Sequence, residues 1–252
     1  MLSMSIVTVV RNNETTIADC ISSVAGQSLP PFEHIIIDGK STDGTLSEIK
    51  KHQHSAVKLV SESDKGIYDA MNKGILLATG DIIGILNSDD IYAHSQVLEN
   101  VTKLFQESCA DALFADLVYV KSDNVNQVVR YYSGAGFTPE KFAWGWMPPH
   151  PTFFVRREIY ERYGLFATDY RISADYELMA RFMARHRVNY LYMSDVIVRM
   201  RTGGVSTRNL KSNWILNREI LRACTDNGID TNIFKVYSKY FRKVSQLFAR
   251  PA

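Results

Sequence analysis

The chain has 252 residues, 46% hydrophobic and 22% charged, enough for one large globular domain with a small appendage. Its 29 Lys and Arg against 27 Asp and Glu leave a formal charge of only +2, which excludes the strongly basic surface of a wholesale nucleic-acid binder. Cys20, Cys109 and Cys224 are widely separated and lack CxxC or Cys/His spacing, which excludes a disulfide framework and fits free buried thiols in a reducing compartment.

The opening "MLSMSIVTVVRNN" has no basic leader, and its apolar run is far too short to span a bilayer. It reads as a first strand, Ser5 to Arg11, in a protein expected to stay in the cytoplasm. After it, Ile17, Cys20, Ile21 and Val24 recur at i, i+3, i+4, i+7, one stripe of a helix. "EHIIID" (Glu33 to Asp38) predicts a fully buried strand, "STDGT" a turn in which Asp43 is turn chemistry, and "TLSEIKKH" a short helix. "VKLVSE" follows as a strand. Then Ile67, Ala70, Met71, Gly74, Ile75 and Ala78 mark an amphipathic helix closed by Gly80, and "DIIGIL" is a fourth strand. Strands without alternation, each followed by a helix, predict a mainly parallel sheet covered on both faces, a Rossmann-like α/β architecture that binds ligands beyond the carboxyl ends of its strands.

From about Asp111 the rhythm changes. "ALFADLVYV" and "QVVRYYS" predict strands joined by a polar turn, "HPTFFVRREIYERYG" a strand feeding a helix, "DYELMARFMARH" another helix, and "NYLYM" and "DVIVRMR" two further strands. This half mixes strand directions, and with no linker between the halves both should share one sheet. From about Lys211 the composition is helical.

The strand "DIIGIL" ends abruptly on Asn87-Ser88-Asp89-Asp90. If it stays extended, Asn87 and Asp89 share a face, and an amide oxygen with a carboxylate suits a hard divalent cation, Mg²⁺ or Mn²⁺, that also holds a diphosphate. An Asx turn capping the next helix is the other reading of the same four residues. Asp38, ending the second strand, can accept a hydrogen bond from a ring N–H of a nucleobase, with Thr8 beside it. Lys65 and Gly66 open a helix, where a cation and free amides favour a phosphate or sugar oxygen. Asp69 and Asn72, one turn apart, are either a surface pair or a sugar contact. His52 and His54 have the wrong spacing for one helical face and read as surface residues.

The ordered set "SIVTVVRNN", "IIIDGKSTDGT", "SESDKGIYDAMNKGI", "LNSDD", "PPHPTFFVRREIY", "ISADYELMARF" and "GGVST" resembles the family-2 glycosyltransferases of the GT-A fold, and more narrowly the bacterial enzymes that build exopolysaccharides such as colanic acid and O-antigens. The resemblance runs from about residue 3 to residue 210, so residues 3–210 are expected to form the GT-A domain and 211–252 a helical extension. It implies an inverting transfer from a nucleotide-sugar, usually a UDP-sugar, to an acceptor hydroxyl, helped by a divalent cation, Mn²⁺ or Mg²⁺. Carried residue by residue, it makes Thr8 and Asp38 nucleoside-recognising positions and Lys65 a basic position near the nucleotide. Asn87, Ser88 and Asp89 match the DxD motif, with Asp89 the metal contact, and Asp175 matches the catalytic base. Asn87 departs from that motif: a neutral amide replaces its first acid, so Asp89 must carry most of the metal contact. An N-cap for the helix after it is the other role Asp175 could fill.

Around this centre, His150 in "MPPHPTFF" is a candidate for the acceptor side or a structural histidine. Trp146, with Trp144, is a candidate for stacking on a sugar or for core packing. Arg201, Gly203 and Gly204 in "RTGGVST" could fold over a diphosphate as a lid or form a plain loop. The end "FKVYSKYFRKVSQLFAR" has cations interleaved with aromatics and no acid, and the resemblance favours an anionic membrane surface as its partner, because such acceptors are commonly polyprenyl-diphosphate-linked glycans. Removing residues from about Lys235 onward should then release the protein from anionic liposomes. Two rivals remain from other classes. A nucleotidyltransferase that makes sugar-nucleotides would want a Gly-rich loop after the first strand, where "VRNNETT" has no glycine; a non-catalytic nucleotide- or glycan-binding module would tolerate loss of Asp175 or Asp89.

Overall fold

The computed structural model describes residues 2–203 and 210–246. The four expected parallel strands form as β1 (Met4–Val10), β2 (Glu33–Asp38), β3 (Val57–Ser61) and β4 (Ile82–Ile85), separated by α1 (Ile17–Ala25), α2 (Thr45–His52) and α3 (Ile67–Leu77). Two elements go beyond the expected series: the short strand β5 (Asp90–Tyr92) and α4 (Val97–Glu107). The second half supplies β6 (Ala112–Lys121), β7 (Asn124–Tyr132), β8 (Phe154–Arg156), α5 (Arg157–Tyr163), α6 (Ala174–Ala180) and β9 (Tyr190–Arg201), and the chain continues into α7 (Leu210–Asp226) and α8 (Ile233–Gln246).

The nine strands among the described residues join one sheet in the order β3-β2-β1-β4-β8-β6-β9-β5, with β7 paired to β6. The pairs among β1 to β4 are parallel, while β8 runs antiparallel between β4 and β6. The mixing of directions expected for the second half is present, β7 and β8 both running antiparallel to β6, and it extends to β5, which pairs antiparallel with β9. "NYLYM" and "DVIVRMR" are one strand rather than two: β9 runs unbroken alongside β6, with register shifts on either side of Asp116 absorbing the polar "SD" between them.

The sheet is covered on both faces. On one, Ile6, Ile82, Leu113 and Phe154 pack with Cys20 and Val24 of α1 and with Val97, Val101 and Phe105 of α4. On the other, Val7, Val9, Ile35, Ile37 and Ile83 pack with Met71 and Ile75 of α3, Leu178 and Phe182, and Ile220 and Cys224 of α7. Gly74 lets α3 lie close on this face, since a Cβ there would sit 2.2 Å from Val7 Cγ1. The expected stripe of α3 holds except for Ile67, which is exposed, and the helix ends at Leu77 rather than at Gly80, whose amide instead donates to Ser5 Oγ at 2.9 Å.

Two further expectations are corrected. His54 is not a surface residue: it stacks on the fully buried His34 with ring centroids 5.5 Å apart. Cys20 and Cys224 are buried as expected, but Cys109 is exposed. At the amino ends of the strands, Glu33 is buried and accepts from Ser5, Lys58 and Thr79; burial alone would raise its carboxyl, yet these donors hold it at about 2.

Candidate functional site

The carboxyl ends of β1, β2, β3 and β4 deliver four loops to one edge of the sheet. Asp38 lies at the end of β2, fully buried, its carboxylate accepting from Ser61 Oγ at 2.6 Å and from the Ser41 amide at 3.2 Å. Gly39 follows because Asp64, from the loop after β3, leans against it: a Cβ at Gly39 would stand 2.2 Å from Asp64 Oδ2 and 3.3 Å from Arg11 Cδ. Asn12 and Lys40 in these loops hold left-handed backbone at φ 50° and 54°, a conformation non-glycine residues adopt at a cost. Asn12 is held there by its Oδ1, which accepts the Thr42 amide at 2.8 Å.

Asn87 to Asp90 close a turn, the Asp90 amide donating to Asn87 O at 3.0 Å, so the alternation expected of an extended strand end does not apply. The turn is pinned from the β1–α1 side. Asn13 Nδ2 donates to Ser88 Oγ at 2.9 Å, Thr16 Oγ1 to Ser88 O at 3.0 Å, and Cys20 Sγ to Asn87 O at 3.4 Å. From the other side Arg201 donates to Asp89 O at 2.9 Å and to the Asp19 carboxylate. Burial raises the Asp89 carboxyl, and burial together with the Asp89 charge pushes Asp90 well above the usual range. A cation beside them would return both to their ionised forms.

Among the described residues, no three His, Cys, Asp or Glu converge to hold a metal by themselves. The turn offers the Asp89 carboxylate together with two buried oxygens, Asn87 Oδ1 and Asp90 Oδ1, that have no hydrogen-bond partner. That donor set fits a hard divalent cation of the Mg²⁺ or Mn²⁺ kind, which takes one or two carboxylates from a protein and its remaining oxygens from phosphates and water.

Asp175 is the second residue of α6. Its Oδ1 accepts the Tyr176 amide at 2.8 Å and lies 3.4 Å from the hydroxyl of Tyr68, and burial raises its carboxyl to about 6. Tyr119, on β6, lies within electrostatic reach of both Asp90 and Asp175, and the Arg130 guanidinium stacks 4.0 Å above its ring. A cleft of about 240 Å³ opens beside Tyr68, lined by Lys65, Gly66, Asp69, Thr168, Asp169 and Arg171. Another hollow, at Leu2, Phe105 and Arg156, lies at the amino ends of the strands, and its Arg156 is spent on the carbonyls of Ala110 and Phe105.

Several expected site residues stand elsewhere. Thr8 is fully buried and its hydroxyl lies 2.9 Å from His34 Nε2, enclosed within the sheet rather than offered to a nucleoside beside Asp38. The two amides just before α3 are not free: Gly66 donates to Asp64 Oδ1 at 2.9 Å and Lys65 to Asp69 Oδ2 at 3.0 Å, while the Lys65 side chain is exposed. Asn72 exchanges two 2.9 Å hydrogen bonds with the Phe166 backbone, so both ends of its amide are spent on holding that loop. His150 is buried edge-on to Phe166, and burial holds its imidazole near 4, in the neutral form. Trp146 is partly buried and packs on Phe137 and Tyr132, with the Lys141 ammonium 5.1 Å from its ring. Arg201 is the buried last residue of β9 rather than part of a lid; Gly203 follows it at φ 111°, and Gly204 lies outside the described residues. Asn13, Asp64, Tyr68 and Arg130 join the site without having been expected there. Asn13, Asp64 and Tyr68 stand inside the quoted motifs, which was the one signal that could have found them; Arg130 lies outside them.

The family profile described as Glycosyl transferase family 2 matches residues 5–164. A PGL/p-HBAD biosynthesis glycosyltransferase of Mycobacterium bovis (strain BCG / Pasteur 1173P2) is 28% identical over 222 residues, covering 86% of this chain and 82% of that protein. Chondroitin synthase of Escherichia coli is 30% identical over 151 residues, 56% of this chain but only 21% of the synthase. The structure of S. aureus TarS 1–349 in complex with UDP-GlcNAc matches with a TM-score of 0.70 at 18% identity, over 91% of this chain and 68% of that one. That of the mannosyltransferase PcManGT from Pyrobaculum calidifontis, in complex with GDP-Man and Mn²⁺, matches with a TM-score of 0.66 at 22% identity, over 98% and 70%. The fold shared with these structures is the expected GT-A fold.

Proposed function

The chain belongs to glycosyl transferase family 2, and from that membership we propose that it is an inverting enzyme that moves a sugar from a UDP-sugar to a hydroxyl of a lipid-linked glycan in the building of a cell-surface polysaccharide. The observation that carries this reading is a site with two carboxylates of different character. Asp89 sits in a turn with unpartnered oxygens beside it, and Asp175 sits apart from it with its carboxyl raised to about 6.

In this reading Asp38 accepts a hydrogen bond from a ring N–H of the base, Lys65 faces the phosphates, and Ser88 lies against the ribose. Asp89, with Asn87 Oδ1, would hold a divalent cation, which when bound supplies positive charge to the departing diphosphate. Asp175 accepts the proton of the acceptor hydroxyl as that oxygen attacks the anomeric carbon. The attack is in line with the leaving group, so configuration inverts in one displacement and no protein nucleophile is needed. Asp43 takes no part, its carboxylate being spent on the amide and hydroxyl of Thr45.

Melting the protein with UDP, GDP, CDP or dTDP, each with Mn²⁺, Mg²⁺ or chelator, tests the reading. UDP at a hundred times its Kd should stabilise by about 2.7 kcal/mol and raise Tm by roughly 5 to 10 °C, only when metal is present. A shift with GDP alone would change the donor, and no shift with any nucleotide would overturn the assignment.

The acceptor side rests on α8, where Ile233, Phe234 and Tyr237 are exposed, Phe234 at 83%, and the Lys235 ammonium stands 6.0 Å from the half-exposed Trp144 ring. Apolar rings beside cations suit an anionic bilayer surface. No helix among the described residues is long and apolar enough to cross one. Val236 is fully buried against the Gly145 backbone, so truncation at Lys235 would open the core as well as remove the surface. Phe234→Ala with Tyr237→Ala is the cleaner test. The pair should weaken binding to vesicles containing phosphatidylglycerol by about tenfold or more while the UDP response persists; undiminished vesicle binding would remove α8 from this role.

A further inference from the structure

We propose that Glu219, on α7, is the positioning residue that holds Asp175 in place for proton transfer; the inference rests on the reading of Asp175 as the base. Three consecutive amides donate to the Glu219 carboxylate: Arg171 at 2.7 Å, Ile172 at 2.9 Å and Ser173 at 2.8 Å. These residues run directly into α6, which begins at Ala174 and has no side-chain cap of its own from Ser173. The first amides of a helix lack intrahelical partners. Glu219 supplies the acceptor for this helix entry from a different helix, far along the chain.

The middle one of the three, Ile172, is also held through its carbonyl. Tyr68, on α3, donates to Ile172 O at 2.5 Å and stands 3.4 Å from Asp175 Oδ1. The backbone at Ile172, three residues before Asp175, is therefore held by both α3 and α7, with α7 outside the stretch that the family profile matches. Proton transfer depends on geometry at the scale of about 1 Å, a displacement that can cost roughly a hundredfold in rate. Glu219 also adds a negative charge near Asp175, in the direction that favours the protonated base. The other titratable or charged groups facing Asp175 are Tyr68 from α3, Tyr119 from β6 and Tyr132 from β7, with Arg130 beside the two tyrosines.

The experiment is steady-state transfer by the full chain, wild type against Glu219→Gln and Glu219→Asp, over pH 4.5 to 8.5, with melting curves for each. Glu219→Gln keeps the length but loses the charge and turns one oxygen into a donor. It should lower kcat by about ten- to a hundredfold, leave KM for the nucleotide-sugar within a factor of two, and move the acid limb of kcat to lower pH. Glu219→Asp keeps the charge but retracts the carboxylate by one methylene, so kcat should fall with the limb unmoved. Wild-type kcat in both variants overturns the proposal. So does a fall in activity that only tracks the unfolded fraction, with the Glu219→Gln limb where the wild type has it. Should Glu219→Gln fail to fold, Glu219→Asp decides alone: normal kcat in the folded protein overturns it. Asp175→Asn separates the two readings, because wild-type turnover there removes the base itself, whereas an inactive Asp175→Asn beside a normal Glu219→Gln removes only this proposal.

Discussion

Asp175→Asn is expected to lower turnover by about 10²- to 10⁴-fold, the usual contribution of a positioned general base, with nucleotide binding unchanged. Asn retains an oxygen for the Tyr176 amide, so the start of α6 keeps its contact and the loss is of proton affinity alone. The pH profile follows from the direction of the shift. Burial lifts the carboxyl to about 6, so kcat of the wild type should hold above that pH and fall tenfold per unit below it. The residual rate of Asp175→Asn should lack that limb.

The same shift has a consequence for stability, of opposite sign. A carboxyl whose folded-state value is raised above its unfolded one contributes stability that is fully present below the unfolded value and is lost as pH rises through about 6. At pH 8 the wild type therefore carries the cost of a partly desolvated charge, on the order of 1 to 3 kcal/mol. Asp175→Asn should melt higher than the wild type at pH 8, and the difference should vanish near pH 4. An inactive variant with a more stable fold is not what misfolding produces. Turnover at the wild-type rate would remove Asp175 from the mechanism.

Asp89→Ala should abolish the metal-dependent part of the nucleotide response, bringing the thermal shift with UDP and Mn²⁺ down to the value seen with chelator. The turn itself should survive, because Arg201 grips the Asp89 carbonyl rather than its side chain, and Asn13 and Thr16 hold Ser88. Removing a carboxylate already raised by burial leaves no unpaired cation behind. Melting without nucleotide should thus change little. A metal-dependent shift that persists in Asp89→Ala would move the cation to other ligands and leave the Asn87–Asp90 turn a structural one.

Much of this architecture was legible as punctuation. Most apolar runs bounded by turn residues became strands, with "NYLYM" and "DVIVRMR" merging into one, and Asp38 and the Asn87–Asp90 turn stand at the carboxyl edge of the parallel strands. Thr8 shows where such reading fails. Every residue of β1 is buried, so the sequence pattern does not reveal that the Thr8 hydroxyl is enclosed against His34 rather than open to a ligand. Asn72, Arg201 and Glu219 fail to show for another reason: each acts on backbone remote in sequence, at Phe166, Asp89 and Arg171–Ser173, and no local period encodes such a pairing. The short β5 was hidden because its "DIY" continues directly from a turn whose carboxylates read as its whole purpose.

The position of β8 between β4 and β6 bears on how the chain is made. Residues 4–85 form the four parallel strands through crossovers that carry α1, α2 and α3, but the outer edge of β4 finds its partner only in Phe154–Arg156. A chain emerging from the ribosome to about residue 110 has all four parallel strands and an open apolar strand edge. Insertion of β8 pairs Ile82–Gly84 with residues some seventy positions later, a closure of high sequence separation of the kind that slows folding. The half-built chain, rather than the finished one, is thus the species most in need of protection from aggregation.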